Sequence, residues 1–158
     1  LAANPCPCAP AKDVDCVCAP NARRRYLGRL SGPLLDRVDL RVIMRRPGGG
    51  VLTAEPGEST EQVRARVTAA RAAAAERWRH CGWRTNGEVP GSALRRRFAL
   101  SSAARAPLEM SVRRGQITPR GVDRCLRVAW SIADLAGHTM PDADDTAAAL
   151  YLRDRTAA

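Results

Sequence analysis

Four cysteines near the start of the chain form two closely spaced pairs, and their chemistry is the easiest to name. Cys6 and Cys8 make one C-x-C pair, and Cys16 and Cys18 make the second, with seven residues between the pairs. Four thiolates satisfy the tetrahedral coordination of a structural Zn²⁺ ion. Two alternatives stay open, which are a pair of disulfides in an oxidising compartment and four reduced thiols without metal. The sequence therefore predicts a candidate zinc site.

A second candidate residue is Arg37, which lies between Asp36 and Asp39 shortly after a Gly-Pro turn. Apolar and polar residues alternate directly after it, which predicts a strand. We therefore expect Arg37 to lie just before the start of this strand, where its side chain can contact another molecule or subunit. A surface ion pair with the two aspartates, worth under about 1 kcal/mol, is the alternative.

Two further polar residues stand at the ends of predicted elements. Asn4 precedes Pro5 at the end of a short apolar segment, where a side-chain amide can orient a water, although Asn-Pro is by itself a turn signal. Arg120 falls in the first turn of a predicted helix, where a cation opposes the helix dipole by a few tenths of a kcal/mol. Its position there needs a reason other than helix stability.

The elements that carry these residues change character at a glycine-rich break. Residues 38–42 alternate apolar and polar side chains, and Ile43 and Met44 extend the apolar stretch, which predicts the closing strand of an α/β sheet over about six residues. We expect residues 1–47 to be the C-terminal remnant of an α/β core, residues 48–58 to be a linker and residues 59–158 to form an all-α helical bundle. The fold class is therefore an α/β remnant followed by a helical domain, mainly α.

Beyond the break, apolar residues recur every three or four positions, which indicates helices. The best-marked helix has Thr118 as N-cap, Pro119 as its first residue and Gly137 at its end. Its predicted buried face consists of Val122, Cys125, Val128, Ala129, Ile132, Leu135 and Ala136. The other predicted helices are Thr60–Gly82, Ser92–Phe98, Ser102–Arg114 with an interruption at Pro107, and a last helix capped by Asp142.

Composition and missing motifs limit the function. The net charge is +10, with Lys12 as the single lysine among 26 basic residues, which suits an acidic partner such as nucleotide or nucleic acid. No apolar run approaches the roughly 18 residues of a membrane span, and no signal peptide is recognisable, so we expect a soluble, cytoplasmic protein. No G-x-x-x-x-G-K-[ST] motif occurs, and hence no P-loop holds phosphates within this chain.

Two stretches resemble a known family. Residues 30–40, with the sequence LSGPLLDRVDL, are similar to a box of magnesium-chelatase-like AAA+ ATPases of the ComM/YifB family and to the corresponding box of minichromosome maintenance helicases. Thr118, Arg120 and residues 127–137, RVAWSIADLAG, resemble the lid helix of that family, with Trp130 where the family usually has arginine. The resemblance runs from about residue 4 to residue 153.

The resemblance implies roles for single residues. Arg37 would be an arginine finger that reaches the γ-phosphate of ATP bound by the neighbouring subunit. Asn4 would be the sensor 1 residue near that phosphate. Arg120 would be sensor 2, with Arg127 as the rival for this role.

The resemblance also implies an assembly. We expect the chain to be the C-terminal part of an AAA+ ATPase, inactive alone, which works with a P-loop-containing N-terminal half, ATP and Mg²⁺ in a homo-oligomeric ring, as a hexamer. The expected activity is that of a motor on DNA, of the helicase or branch-migration type, in competence or recombination. The alternatives are a metal-chelatase-type subunit that acts on a protein partner and a truncated, non-catalytic binding module.

Overall fold

The computed structural model divides the chain into two compact units, residues 1–38 and residues 39–158. The structure describes residues 2–10, 13–44, 55 and 57–153. The glycine-rich start of the predicted linker, residues 48–50, lies outside the described residues.

The first unit contains two short α-helices. A 3-10 turn at Asp13–Asp15 precedes α1 (Pro20–Leu27), and α2 (Gly32–Asp36) follows. Each α-helix has a proline in its first turn. Proline is tolerated there because the first backbone N–H groups of a helix have no hydrogen-bond acceptor within it. Neither helix contains a fully buried residue, and Leu34 and Leu35 of α2 are half-buried.

The predicted closing strand over residues 38–43 is not observed. No strand occurs in the described ranges, and the chain from Asp39 to Met44 has no regular secondary structure. The backbone N–H of Arg41 donates to the carbonyl oxygen of Leu152 at 2.7 Å, which is not part of a strand ladder. A strand needs a neighbouring strand to satisfy its backbone groups, and the described residues offer none. The mainly α prediction is confirmed, whereas the α/β remnant is not observed.

The second unit is a bundle of five α-helices in its described part. Their bounds are α3 (Thr60–Trp78), α4 (Gly91–Arg95), α5 (Ser102–Arg113), α6 (Pro119–Ala136) and α7 (Ala143–Arg153). Short 3-10 turns occur at Arg79–Cys81 and Asn86–Glu88. α6 lies at the centre, because it packs against α3, α4, α5 and α7. None of the described helices is both long and apolar enough to cross a membrane.

Local signals explain where these helices begin and end. Ser59 and Gln62 form a reciprocal capping box at the start of α3. Thr118 accepts a hydrogen bond from the backbone N–H of Gly121 at 3.0 Å, as predicted for the start of α6. Gly82 and Gly137 adopt left-handed conformations with φ of 76° and 78°, which end two helical segments at the predicted positions.

The interruption predicted at Pro107 is wrong, because α5 continues through this residue. A proline inside a helix removes one backbone hydrogen bond and costs roughly 3 kcal/mol. Burial of Ala104 and Leu108 on the same helix offsets this cost, and the Thr146 hydroxyl of α7 holds the Ala104 carbonyl at 2.7 Å. Tertiary packing therefore overrides the local signal.

Aromatic side chains fill the core of the bundle. The fully buried Trp78 contacts Phe98, Trp130 and Trp83 edge-on, with ring centroids 4.8, 5.4 and 6.0 Å away. Such edge-to-face pairs add roughly 0.5–1.5 kcal/mol each beyond the area that they bury. Trp130 is therefore a core residue of the bundle.

The buried face of α6 differs from the predicted face at its C-terminal end. Leu135 and Ala136 are exposed, whereas Asp134 is 8% exposed. Asp134 forms a bidentate ion pair with Arg77 of α3 and accepts a hydrogen bond from Asn86 at 2.8 Å. We call these three residues the buried polar cluster.

The buried polar cluster also contacts the aromatic core. The Asn86 oxygen accepts from the indole N–H of Trp78 at 2.8 Å, and the Arg77 guanidinium carbon lies 4.4 Å from the centroid of the Trp130 ring. A buried carboxylate is tolerated only where a cation and further donors replace its water shell. The cluster thus fixes α6, which carries Arg120 and Arg127, against α3.

Candidate functional site

The structure brings the four predicted cysteine ligands together. The sulfur atoms of Cys6, Cys8, Cys16 and Cys18 all lie within 4.8 Å of one another. The Sγ atom of Cys6 is 3.4 Å from those of Cys8 and Cys16, and the distance from Cys8 to Cys16 is 3.8 Å. All four cysteines are free thiols. We call this group the cysteine cluster.

A tight turn directs the first cysteine pair toward one point. The backbone N–H of Ala9 donates to the Cys6 carbonyl at 3.3 Å, and Ala9 has a positive φ of 44°. A non-glycine residue in this left-handed conformation costs roughly 1–2 kcal/mol. The two cysteine side chains of the turn face the same point as the second pair.

The thiols of the cluster have unequal acidities. Hydrogen bonds from the thiols of Cys18 and Cys6 lower the pKa of Cys8 to about 7. Burial, together with hydrogen bonds to Cys8 and Cys16, raises the pKa of Cys6 to about 12. The hydrogen bond that Cys18 gives to Cys8 raises the pKa of Cys18. The Cys8 thiol is therefore more readily ionised than the Cys6 thiol.

Arg37 is the C-cap residue of α2 and its side chain is exposed. One terminal nitrogen donates to the Pro33 carbonyl at 2.9 Å, one turn earlier. Asp39, which the sequence offered as an ion-pair partner for Arg37, pairs with Arg124. The guanidinium is thus oriented by the backbone of its own helix and still faces solvent.

Asn4 lies two residues before the cysteine cluster. Its backbone N–H donates to the Tyr26 hydroxyl of α1 at 3.2 Å, and the residue is exposed. This bond links the segment that carries Asn4 to α1 within the first unit.

The two candidate sensor 2 arginines of α6 differ in their surroundings. Arg120 is the second helical residue and is exposed. Arg127, two turns further along, is half-buried, and its Nε atom donates to the Val89 carbonyl at 2.9 Å. Arg127 therefore helps to hold the loop before α4, whereas the Arg120 side chain is exposed to solvent.

Another group of possible metal ligands lies between α6 and α7, and the sequence did not predict it. His138, Asp142 and Asp145 place their ligand atoms within 4.8 Å of one another. Asp142 caps α7, as predicted, by accepting from the Asp145 backbone N–H at 2.9 Å, and the Asp145 carboxylate accepts from the Asp142 N–H at 3.1 Å. His138 is exposed, and its Nδ1 atom lies 2.9 Å from this carboxylate.

This arrangement is explained by helix capping. The hydrogen bond to Asp145 raises the pKa of His138, and the backbone N–H of Asp145 lowers the pKa of Asp142. Each polar group thus has a partner within the cap.

Comparison with protein families matches nearly the whole chain. Residues 57–153 match the family described as magnesium chelatase, subunit ChlI C-terminal. Residues 1–52 match the family described as magnesium chelatase, subunit ChlI. The chain therefore belongs to the magnesium-chelatase-like family, as the two sequence boxes indicated.

Individual relatives agree with this assignment. An uncharacterized protein of Mycobacterium bovis is 63% identical over 97% of this chain and 30% of its own length. The protein YifB of Escherichia coli is 35% identical over 85% of this chain and 26% of its own length. The competence protein ComM of Haemophilus influenzae is 32% identical over 86% of this chain and 26% of its own length.

The chain thus spans 30% or less of the length of these relatives. No solved structure matches the chain.

Proposed function

We propose that this chain is the C-terminal part of a ring-forming AAA+ ATPase and that Arg37 acts on ATP held by the neighbouring subunit. The observation that carries the proposal is the exposed Arg37 guanidinium at the end of α2, oriented by its bond to the Pro33 carbonyl. Membership of the magnesium-chelatase-like family supports the reaction class.

The proposed role of Arg37 is electrostatic stabilisation of the transition state. Negative charge develops on the transferred phosphoryl group, and an arginine finger that neutralises it contributes roughly 10³ to 10⁵ in rate. A planar guanidinium offers two parallel N–H donors to phosphate oxygens, which the single ammonium of lysine does not. The C-cap position suits this role, because the helix backbone orients the side chain before it meets the phosphate.

Arg120 and Asn4 complete the proposed site. Arg120 is exposed on α6 and would contact the γ-phosphate within its own subunit, which couples the helical domain to the nucleotide state. The bond that ties Arg127 to Val89 supports Arg120 over Arg127 for this role. Asn4 would orient the attacking water with its exposed side-chain amide. ATP and Mg²⁺ would be held by the P-loop half of the same protein.

DNA is the proposed substrate of the motor. The net charge of +10 favours a polyanionic partner, and the ComM relative is described as a competence protein, which supports a role in competence. The second candidate is a metal-chelatase-type subunit with a protein partner, which the description of the matching family, magnesium chelatase subunit ChlI, favours.

The test uses the protein in which this chain is joined to its P-loop half. Arg37→Ala should lower the maximal ATP turnover by at least about 10³ with little effect on nucleotide binding, because the lost contact forms in the transition state. Arg37→Lys should lower ATP turnover to a similar extent, because lysine lacks the planar pair of N–H donors. Arg29→Ala is the matched control, since Arg29 is also an exposed arginine of the first unit. Near-normal turnover of Arg37→Ala would contradict the proposal.

A salt titration separates the two substrates. If DNA is the substrate, its affinity for the assembled protein should fall steeply and linearly on a log–log plot against salt concentration, because bound phosphates release counterions. Absence of DNA binding at low salt, with ATP turnover intact, would favour the protein partner.

A further inference from the structure

We propose that the cysteine cluster binds one Zn²⁺ ion, and that this ion is what holds the first unit together. The cluster is the chemical feature that the proposed ATPase function leaves unused. The argument rests on the sulfur geometry, on the strained turn and on the burial pattern of residues 1–38.

The sulfur distances match a metal tetrahedron and not a disulfide. Four sulfurs at about 2.3 Å from a zinc ion lie about 3.8 Å from one another. The Sγ–Sγ distances of 3.4, 3.4 and 3.8 Å are close to this edge length, whereas a disulfide bond is about 2.05 Å long. Four converging thiols favour Zn²⁺ over Mg²⁺ or Ca²⁺, which prefer oxygen ligands.

The turn at Ala9 supports the same conclusion. A left-handed alanine persists where the surrounding structure over-determines it, and such residues cluster at ligand sites. Here the turn aligns Cys6 and Cys8 with the second pair, so the strained residue serves the convergence of the sulfurs.

The burial pattern shows why the first unit needs a metal. Among residues 2–10 and 14–38, Cys6, at 2% exposure, is the only buried residue. Neither α1 nor α2 fully buries a side chain. Units of about 40 residues seldom fold on apolar burial alone and use disulfides, metals or assembly instead. A zinc ion at the cluster would supply the missing cross-link between two segments of the unit.

The consequence for Asn4 rests on the proposed function. Asn4 is two residues from Cys6, and its N–H is bonded to Tyr26 of α1. An ion that fixes Cys6 would therefore hold Asn4 in place for the nucleotide, and zinc removal would lower ATP turnover without removing any residue that touches ATP.

The experiment measures metal directly on the full chain. Protein produced under reducing conditions should contain about one zinc per chain. Replacement of that zinc by Co²⁺ alone should give the strong visible absorption of a tetrahedral thiolate site. The double variant Cys16→Ser with Cys18→Ser should lose both the zinc and the cobalt spectrum. Cys81→Ser, which removes a free thiol outside the cluster, is the matched control and should keep both.

A second variant tests the turn without touching a ligand. Ala9→Gly removes the strain of the left-handed residue and should bind zinc at least as tightly as the parent chain. Amide hydrogen exchange in α1 should accelerate when a chelator removes the metal from either protein.

Several results would overturn the proposal. These are zinc-free protein with the same protection of α1 amides, iron bound in place of zinc, two disulfides by thiol titration, or cobalt without tetrahedral absorption. None of these measurements involves ATP, so the zinc proposal can be refuted without refuting the proposed ATPase function, and the reverse also holds.

Discussion

Removal of the Asp134 carboxylate gives the sharpest test of how the helical unit is held together. The side chain of Asp134 is 1% exposed and that of Arg77 is 17% exposed, so their ion pair is shielded from water. Asp134→Ala removes the carboxylate that accepts from the Arg77 guanidinium and from the Asn86 amide, which keeps its weaker bond to the Ser131 hydroxyl at 3.2 Å. Breaking a buried pair from one side costs roughly 3–5 kcal/mol, because an uncompensated charge remains buried.

The assay is urea unfolding of the full chain followed by tryptophan fluorescence. All three tryptophans, Trp78, Trp83 and Trp130, lie in the second unit, so the signal reports this unit alone. With a slope of roughly 1.5 kcal/mol/M, the midpoint should fall by about 2–3 M. Glu109→Ala is the control, because the exposed pair between Glu109 and Arg105 contributes under about 1 kcal/mol.

A double variant keeps the test informative if Asp134→Ala does not fold. Arg77→Met combined with Asp134→Leu removes both charges and should recover much of the lost stability, since apolar replacements of a buried pair are often neutral. An Asp134→Ala cost as small as that of Glu109→Ala would refute the reasoning. So would a double variant less stable than Asp134→Ala.

Two further predictions concern α6 and the turn that follows it. The bond to Asp145 raises the pKa of His138 above its ordinary value of 6.5, so its stabilising contribution should be fully present below pH 6.5 and lost as pH rises through the raised pKa. The difference in unfolding free energy between the parent chain and His138→Gln should therefore shrink from pH 6 to pH 9. Trp130→Arg introduces the residue that is usual at this position in the resembled family. It should destabilise the helical unit by roughly 3–5 kcal/mol, as a Trp→Ala change in a core does, because it removes the buried ring and adds a buried cation beside Arg77. Circular dichroism measures this loss, and an unchanged unfolding midpoint would show that Trp130 is not needed in the core.

Local sequence signals predicted the ends of the long helices. Thr118, Pro119 and Gly137 determine where α6 starts and stops through interactions within a few residues, so they could be read from the sequence. The buried polar cluster could not, because Asp134 meets Arg77 across 57 positions of the chain and looks like a solvent-facing residue in a helical pattern. In the sequence, the only sign of the buried polar cluster is that Asp134 falls on an otherwise apolar face of α6. This sign can be recognised only after the buried face of α6 has been determined from the structure.

The closing strand and Pro107 show two other limits. The alternation over residues 38–42 is a real pattern, but a strand forms only with a neighbour, and the described residues contain none. Pro107 is a helix breaker by local rules, and the core packing of α5 overrides it. For the candidate site, the convergence of the four cysteines was predictable from their spacing, whereas the exposed Arg120 and the tethered Arg127 could be told apart only from their contacts.

A subunit-mixing measurement of ATP turnover tests the central claim most directly. The subunits are those in which this chain is joined to its P-loop half, and each variant is inactive alone. Arg37→Ala subunits mixed with P-loop-dead subunits that keep Arg37 should regain turnover, because the finger of one subunit completes the intact nucleotide site of its neighbour. Arg120→Ala subunits mixed with the same partners should stay inactive, since Arg120 would act within its own subunit. No recovery of Arg37→Ala, or equal recovery of both variants, would contradict an arginine finger that acts between subunits.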